Sequence, residues 1–234
     1  MAVRRLVIRP GAIGDFIVSL PAIESLRDGY LEVWARAPNV PLARLADRAR
    51  SIESIGLDLL GITEPDPRLL EALRGFDSIV SWYGSNRPEF RALTASLGLP
   101  FTFLPALPPD GEMHAADFYL ASVRKIHGKT GLDGVPRIPC PPLPRRGAVI
   151  HPFAASRAKR WPMERFRELA RELERRMPVC WCAGPEDELP GALRIPDLYE
   201  LAVRLAGARV FIGNDSGISH LAAAAGTPVV VLFG

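Results

Sequence analysis

The sequence predicts an α/β protein with parallel sheets, divided into two domains. Three observations carry this. Strand-like and helix-like patterns alternate from the first residues onward, as a parallel sheet with covering helices requires. Five prolines crowd into residues 136–144: Pro136, Pro139, Pro141, Pro142 and Pro144. Proline lacks an amide donor and fixes φ, so this stretch is neither a helix interior nor a central strand. At 234 residues the chain is long for one domain and short for two of roughly 150 residues each. The expected layout is a first domain over 1–135, a proline-rich linker over 136–146 and a short second domain over 147–234.

The elements follow in order. Val3 to Arg9 is β-rich and ends at Pro10-Gly11; from about Ile13 to Leu26, Ile17, Leu20, Ile23 and Leu26 recur at helical spacing. Further strands are expected at Leu31–Ala35, Ser51–Ile55 and Asp77–Trp82, with helices near 40–48, 68–74, 87–97 and His114–His127. After the prolines the rhythm restarts with a strand at Ala148–His151. An amphipathic helix from Pro162 to Met177 follows, with Phe166, Leu169 and Leu173 on one face and the pairs Glu164/Arg167, Glu168/Arg171 and Glu172/Arg176 on the other. Strands at Val179–Ala183, Arg209–Ile212 and Pro228–Phe233 complete the pattern. No solenoid-type repeat is visible.

Composition narrows the class. Hydrophobic residues make up 48% and charged residues 24%, which fits a folded globular chain. Lys and Arg number 29 against 26 Asp and Glu, and a net charge of +3 is too weak to argue for nucleic acid as a partner. Cys140, Cys180 and Cys182 form no disulfide framework and no zinc-type spacing, so a reducing cytoplasm is the expected setting. Cys180 and Cys182 read as small buried hydrophobes rather than redox partners. The N-terminal apolar stretch is interrupted by Arg4, Arg5 and Arg9, and Leu221–Gly234 by Gly226, Thr227 and Pro228, so neither is a signal peptide nor a membrane span.

Three loops follow expected strand ends, where open α/β sheets bind ligands. The first is Pro10-Gly-Ala-Ile-Gly-Asp15. Gly11 and Gly14 allow a tight turn and close backbone approach, and Asp15 reads either as a helix-start carboxylate or as a catalytic one. The spacing is not the Gly-x-Gly-x-x-Gly dinucleotide fingerprint. The second, His151 to Pro162, offers small residues at Ala154, Ala155 and Ser156 with Lys159 and Arg160 behind them; it reads as an anion site or as a solvated basic loop. Trp161 is expected to pack. The third, Gly213 to His220, places Asp215 as an N-cap, while the Ser216 and Gly217 amides, the Ser216 hydroxyl and His220 suit phosphate oxygens or simply cap a helix. His220 has no second metal ligand at fixed spacing.

Taken together, Arg5 to Ile23, Lys159-Arg-Trp-Pro162 and Asn214-Asp-Ser-Gly-Ile-Ser-His-Leu221 with Gly226-Thr-Pro228 resemble, in order, the ADP-heptose lipopolysaccharide heptosyltransferases, glycosyltransferase family 9. Residues 30–145 carry no motif of that family. The resemblance implies a GT-B architecture, two Rossmann-like domains facing a cleft. The acceptor would sit mainly on the first domain and the nucleotide sugar on the second. It implies an inverting transfer of heptose or a related sugar from an ADP-linked donor to a lipopolysaccharide-type glycan or glycolipid, with Asp15 as general base. Donor contacts would come from Ala155, Ser156, Lys159, Asp215, Ser216, Gly217 and His220. Glu186 or Glu188, in a loop resembling the family's donor loop, would bind ribose or sugar hydroxyls or else form an acidic surface loop.

The cationic groups of these loops would stabilise the leaving diphosphate, so the resemblance implies neither a cofactor nor a divalent metal. The setting implied is the cytoplasm at the inner face of the membrane, with at most peripheral membrane contact. Arg87, Arg91, Arg124, Lys125 and Lys129 are scattered cations that an anionic acceptor could meet. Two departures stand out. Phe153 occupies a position where the family often has glycine, and the sequence stops at Val231–Gly234, where the family continues; the second domain is therefore expected to be incomplete. A non-catalytic nucleotide or sugar-phosphate binder of the same fold is the alternative.

Overall fold

A computed structural model describes residues 3–108, 113–127 and 133–233. The first unit comprises residues 1–11 and Val18–Pro136. Its sheet has five parallel strands, β1 (Val3–Arg9), β2 (Gly29–Ala35), β3 (Arg48–Ser51), β4 (Ser78–Ser81) and β5 (Phe101–Phe103), in the order β3-β2-β1-β4-β5. The β-branched run of β1 sits at the centre, Val7 opposite Val33 on one side and Val80 on the other. Covered on both faces, it needs a continuous apolar run rather than alternation. Leu6, Ile8, Trp34, Leu73, Ile79 and Phe90 form the core and are at most 1% exposed.

The helices of this part of the chain are α1 (Ile13–Val18), α2 (Leu20–Ser25), α3 (Pro67–Arg74), α4 (Pro88–Ser96) and α5 (Ala115–His127). The continuous helix expected over 13–26 is broken at Ser19. Pro21 has no amide for the Ile17 carbonyl, and its ring suits the first turn of a new helix. The expected helix over 40–48 is instead a 3₁₀ turn over Ala37–Leu42, which contains Pro38 and Pro41. The strand expected at Ser51–Ile55 lies earlier, at Arg48–Ser51. Three of its four side chains are polar, as a sheet edge allows, and Asp47 fixes its start by accepting the Leu31 amide at 2.8 Å. β5, a three-residue edge strand of stacked Phe101 and Phe103, had no pattern long enough to read.

The second unit runs from Arg137 onward and takes in Ala12–Ile17 from the start of α1. Its parallel sheet is β6 (Ala148–His151), β7 (Val179–Trp181), β8 (Val210–Asn214) and β9 (Val229–Leu232), in the order β7-β6-β8-β9. The two parallel α/β sheets fit the expected GT-B class. Residues 135–146 carry neither helix nor strand. They are tied down rather than loose: Ile138 N donates to Ala224 O, Tyr199 Oη to Pro139 O and Arg146 N to Gly207 O, at 2.8–3.1 Å.

Helices α6 (Met163–Glu174), α7 (Leu198–Ala206) and α8 (Gly217–Ala224) accompany this sheet. On α6, Phe166 and Ala170 are buried as the apolar stripe requires. The exposed ion pairs are Arg165–Glu168 and Glu172–Arg175 at i,i+3, not those the spacing suggested, and each contributes under about 1 kcal/mol. Sequence reading missed α7, although Asp197 caps it by accepting from Tyr199 N and Glu200 N, and Leu198, Leu201, Ala202 and Leu205 repeat with helical period. The three cysteines are free. Burial pushes the Cys182 thiol up to about 11, in keeping with an unreactive packing residue. Among the described residues no helix is long and apolar enough to cross a membrane.

Candidate functional site

In the second sheet the first strand, β6, is flanked by β7 on one side and β8 on the other, so the chain reverses direction across the sheet between β6 and β8. Loops leaving the C-terminal ends of these two strands splay apart there and leave a crevice. The loop after β6 runs from Pro152 to Trp161 and includes a 3₁₀ turn over Arg157–Lys159. Fully buried Asn214, the last residue of β8, holds both of its ends. Asn214 Nδ2 donates to Pro152 O at 2.8 Å, and Trp161 N donates to Asn214 Oδ1 at 2.9 Å. Arg160 Nε donates to Ala154 O at 2.8 Å and closes the loop on itself.

The loop after β8 differs from expectation in its cap. Ser216, not Asp215, is the N-cap of α8, its hydroxyl accepting from Ser219 N. The Asp215 carboxylate turns instead to Lys159, whose Nζ lies 2.5 Å from Oδ2. Ser219 Oγ donates to Asn214 O at 2.5 Å and ties the first helical turn to the strand end. The helix start leaves its first amides, Gly217 and Ile218, without intrahelical partners, and its dipole favours an anion there.

The segment Ala12–Ile17 packs on this helix start through two glycines. A Cβ on Gly217 would lie 2.9 Å from Ile13 Cβ, and one on Gly14 would lie 3.1 Å from His220 Cδ2. Gly14 is therefore needed for close approach within α1 rather than for a turn; the turn is made by Gly11, at φ +125°. Asp15, in the first turn of α1, accepts from Ala12 N at 3.3 Å and stays half-exposed.

Among these loops lies a cavity of about 320 Å³. Of the residues singled out by sequence, Ala155, Ser216 and Gly217 line it, whereas Ser156, Lys159, Asp215 and His220 flank the same loops without forming the wall. Glu186 and Glu188 are exposed and off the wall. The carboxylate that lines it is Asp187, turned inward because its Oδ2 accepts the Gly184 amide at 2.8 Å. An apolar side is built from Cys182, Ala183, Ile195, Leu198 and Leu201. Phe153 and Arg160, noted in the sequence as members of this loop, also line it, and so does His151, which sequence reading gave no part; its place at a strand end was the available signal.

His151 ends β6 opposite Gly213 and is 5% exposed. Its ring stacks on Phe211 and meets Phe153 edge-on. Burial lowers its pKa to about 4 against an opposing pull from Asp187, so it is neutral near pH 7. Among the described residues no three His, Cys, Asp or Glu side chains converge to hold a metal ion. In the first unit a hollow of about 400 Å³ lies beside Ser85, Asn86, Arg91 and Phe103 and holds none of the expected donor-site groups. Arg87 and Arg91 lie in this unit over aromatic rings, and Arg124 and Lys125 on α5; Lys129 lies outside the described residues.

Residues 123–234 match the family model described as glycosyltransferase family 9 (heptosyltransferase). No curated protein matches the chain. Among solved structures, the chain is similar to the E. coli heptosyltransferase WaaC with ADP, at 17% identity and a TM-score of 0.68, covering 99% of this chain and 87% of that one. It is similar to E. coli ADP-heptose LPS heptosyltransferase II at 20% identity and 0.71, covering 99% and 85%. It is also similar to the family 9 glycosyl transferase from Veillonella parvula at 17% identity and 0.71, covering 98% and 80%. At these identities the likeness establishes the fold.

Proposed function

We propose that the chain, whose residues 123–234 match the glycosyltransferase family 9 model, is a member of that family and moves heptose or a related sugar from an ADP-linked donor to a lipopolysaccharide-type glycan, with inversion. The observation that carries this reading is the cavity at the ends of β6 and β8, where small-residue loops meet the open N-terminus of α8 beside Lys159. An anionic diphosphate matches that combination of loop backbone, helix N-terminus and cation. The apolar side of the cavity, from Ala183 to Leu201, suits a nucleobase, and Asp187 suits sugar or ribose hydroxyls. Structures of the similar E. coli WaaC hold ADP and ADP-2-deoxy-2-fluoro heptose, which supports the choice of base.

In the proposed reaction an acceptor hydroxyl oxygen attacks the anomeric carbon, the bond from that carbon to the phosphate oxygen breaks, and Asp15 takes the hydroxyl proton. A carboxylate is a weak base for a sugar hydroxyl, so proton transfer is late and positioning counts for as much as basicity. Asp15 belongs to the segment that packs on α8, which supports its nearness to the donor. Charge developing on the leaving diphosphate would be met by Lys159 and the Gly217 and Ile218 amides, with Ala155, Ser156, Ser216 and His220 around it. The acceptor would be held by the first unit, at the cytoplasmic side of the membrane.

The test is incubation with ADP-heptose and a deacylated lipopolysaccharide core fragment, read by mass spectrometry. A heptosylated product with free ADP supports transfer; saturable binding with no product assigns the chain to the non-catalytic alternative.

A further inference from the structure

Arg160 lines the cavity and has no part in the transfer proposed above. Its Nε donates to Ala154 O at 2.8 Å, and its Cζ lies 5.9 Å from the centre of the Phe153 ring. Ala154 and Phe153 are wall residues themselves, so the guanidinium, and not only its aliphatic stem, belongs to the wall. Phe153 is in turn met edge-on by the buried His151 ring, at 5.9 Å between centroids. A planar cation bonded at one nitrogen and backed by a fixed aromatic ring keeps few orientations.

The two terminal nitrogens are left over. Among the described residues no carboxylate pairs with Arg160, although Asp187 lines the same cavity. Arg160 is also the one arginine or lysine among the described wall residues, since Lys159 stands off the wall with its ammonium 2.5 Å from Asp215. Gly217 and Ile218 share that wall, and their amides open α8 without intrahelical partners. A fork of N–H donors and a helix start in one cavity call for the same kind of group, an anion carrying several oxygens. The planar fork takes two such oxygens at once, which the point charge of a lysine cannot.

We propose that the Arg160 guanidinium binds two oxygens of the donor's diphosphate directly, with Phe153 as the residue that positions it. This rests on the donor site proposed above and adds a direct contact to the field of Lys159.

The experiment uses the full chain labelled with ¹⁵N-arginine, titrated with ADP at pH 7. A phosphate on the fork slows its rotation and its exchange with solvent, so terminal ¹⁵N–H signals that are missing from Arg160→Gln are expected to appear as ADP saturates the wild-type chain. Arg160→Gln should weaken ADP binding about 10- to 100-fold. Arg160→Lys, which restores the charge without the fork, should recover only part of that loss. Phe153→Leu should cost about two- to fivefold, and nothing further when added to Arg160→Gln. No Arg160 signal at saturating ADP, unchanged affinity in Arg160→Gln, or full recovery in Arg160→Lys overturns the contact and leaves the donor site standing. Additive losses from Phe153→Leu and Arg160→Gln overturn the positioning role. Absence of ADP binding by the wild-type chain overturns the donor site and the contact together.

Discussion

The Lys159 ammonium lies 2.5 Å from the Asp215 carboxylate, joining the loop after β6 to the loop after β8 across 56 positions of sequence. With side chains 54% and 30% exposed, the pair contributes under about 1 kcal/mol to stability. Its consequence is positional, since it holds the cation beside the open end of α8.

Lys159→Ala should therefore leave the unfolding midpoint nearly unchanged and weaken nucleoside diphosphate binding by about 10- to 100-fold, the range for a charge-assisted hydrogen bond of roughly 1.5–3 kcal/mol. Parallel calorimetry and thermal unfolding on the same variant check this. Equal affinity in wild type and variant would remove Lys159 from the site.

Asp15→Asn should bind ADP with an affinity within about threefold of wild type while transfer falls by about 10²- to 10⁴-fold, the span of general-base contributions. The asparagine preserves size and the hydrogen bond from Ala12 N, so the helix start is undisturbed. Lost binding with unchanged turnover per bound complex would contradict the assignment.

Asn214→Ala strands the Trp161 amide and the Pro152 carbonyl, both bonded to one buried side chain. The expected destabilisation is about 2–4 kcal/mol by urea unfolding, from two unmade buried hydrogen bonds. A loss under about 0.5 kcal/mol would mean that the loop finds other partners.

His151 gives the fold a pH dependence. Its folded pKa, about 4, lies below the ordinary histidine value of 6.5, so the unfolded chain binds more protons between those values and stability falls as pH drops from 6.5 to 4. The loss is on the order of 3 kcal/mol. It is fully avoided above pH 6.5. The difference in stability between His151→Phe and wild type should grow by that amount as pH is lowered across this window, and a constant difference would contradict the buried neutral ring.

Much of this arrangement was legible before the structure. The strands from Val3, Leu31 and Ala148 declared themselves by apolar runs, and the glycine and serine loops after them by position. What escaped reading has physical causes. β3 is mostly polar because an edge strand needs no buried face, so Arg48–Ser51 lacked an apolar run and the strand was expected only from Ser51 onward. Prolines at 21, 38 and 41 cut helices that periodicity alone would have continued. At the site, residue type pointed to Glu186 and Glu188, but a turn places Asp187 on the wall, and which of three adjacent acids faces inward is decided by the Gly184 amide. Likewise Asp215 had the chemistry of a cap, and the nearness of Lys159, set by tertiary structure, gave it another partner.

The central claim is that the cavity at the ends of β6 and β8 takes the nucleotide half of an ADP-sugar. Calorimetric titration of the chain with ADP, UDP, GDP and CDP in turn, in EDTA, tests it without an acceptor. The account predicts saturable one-to-one binding of ADP, at least about tenfold tighter than the others, and strongly weakened in Lys159→Ala. Equal affinity for all four, or no binding of any, would contradict it.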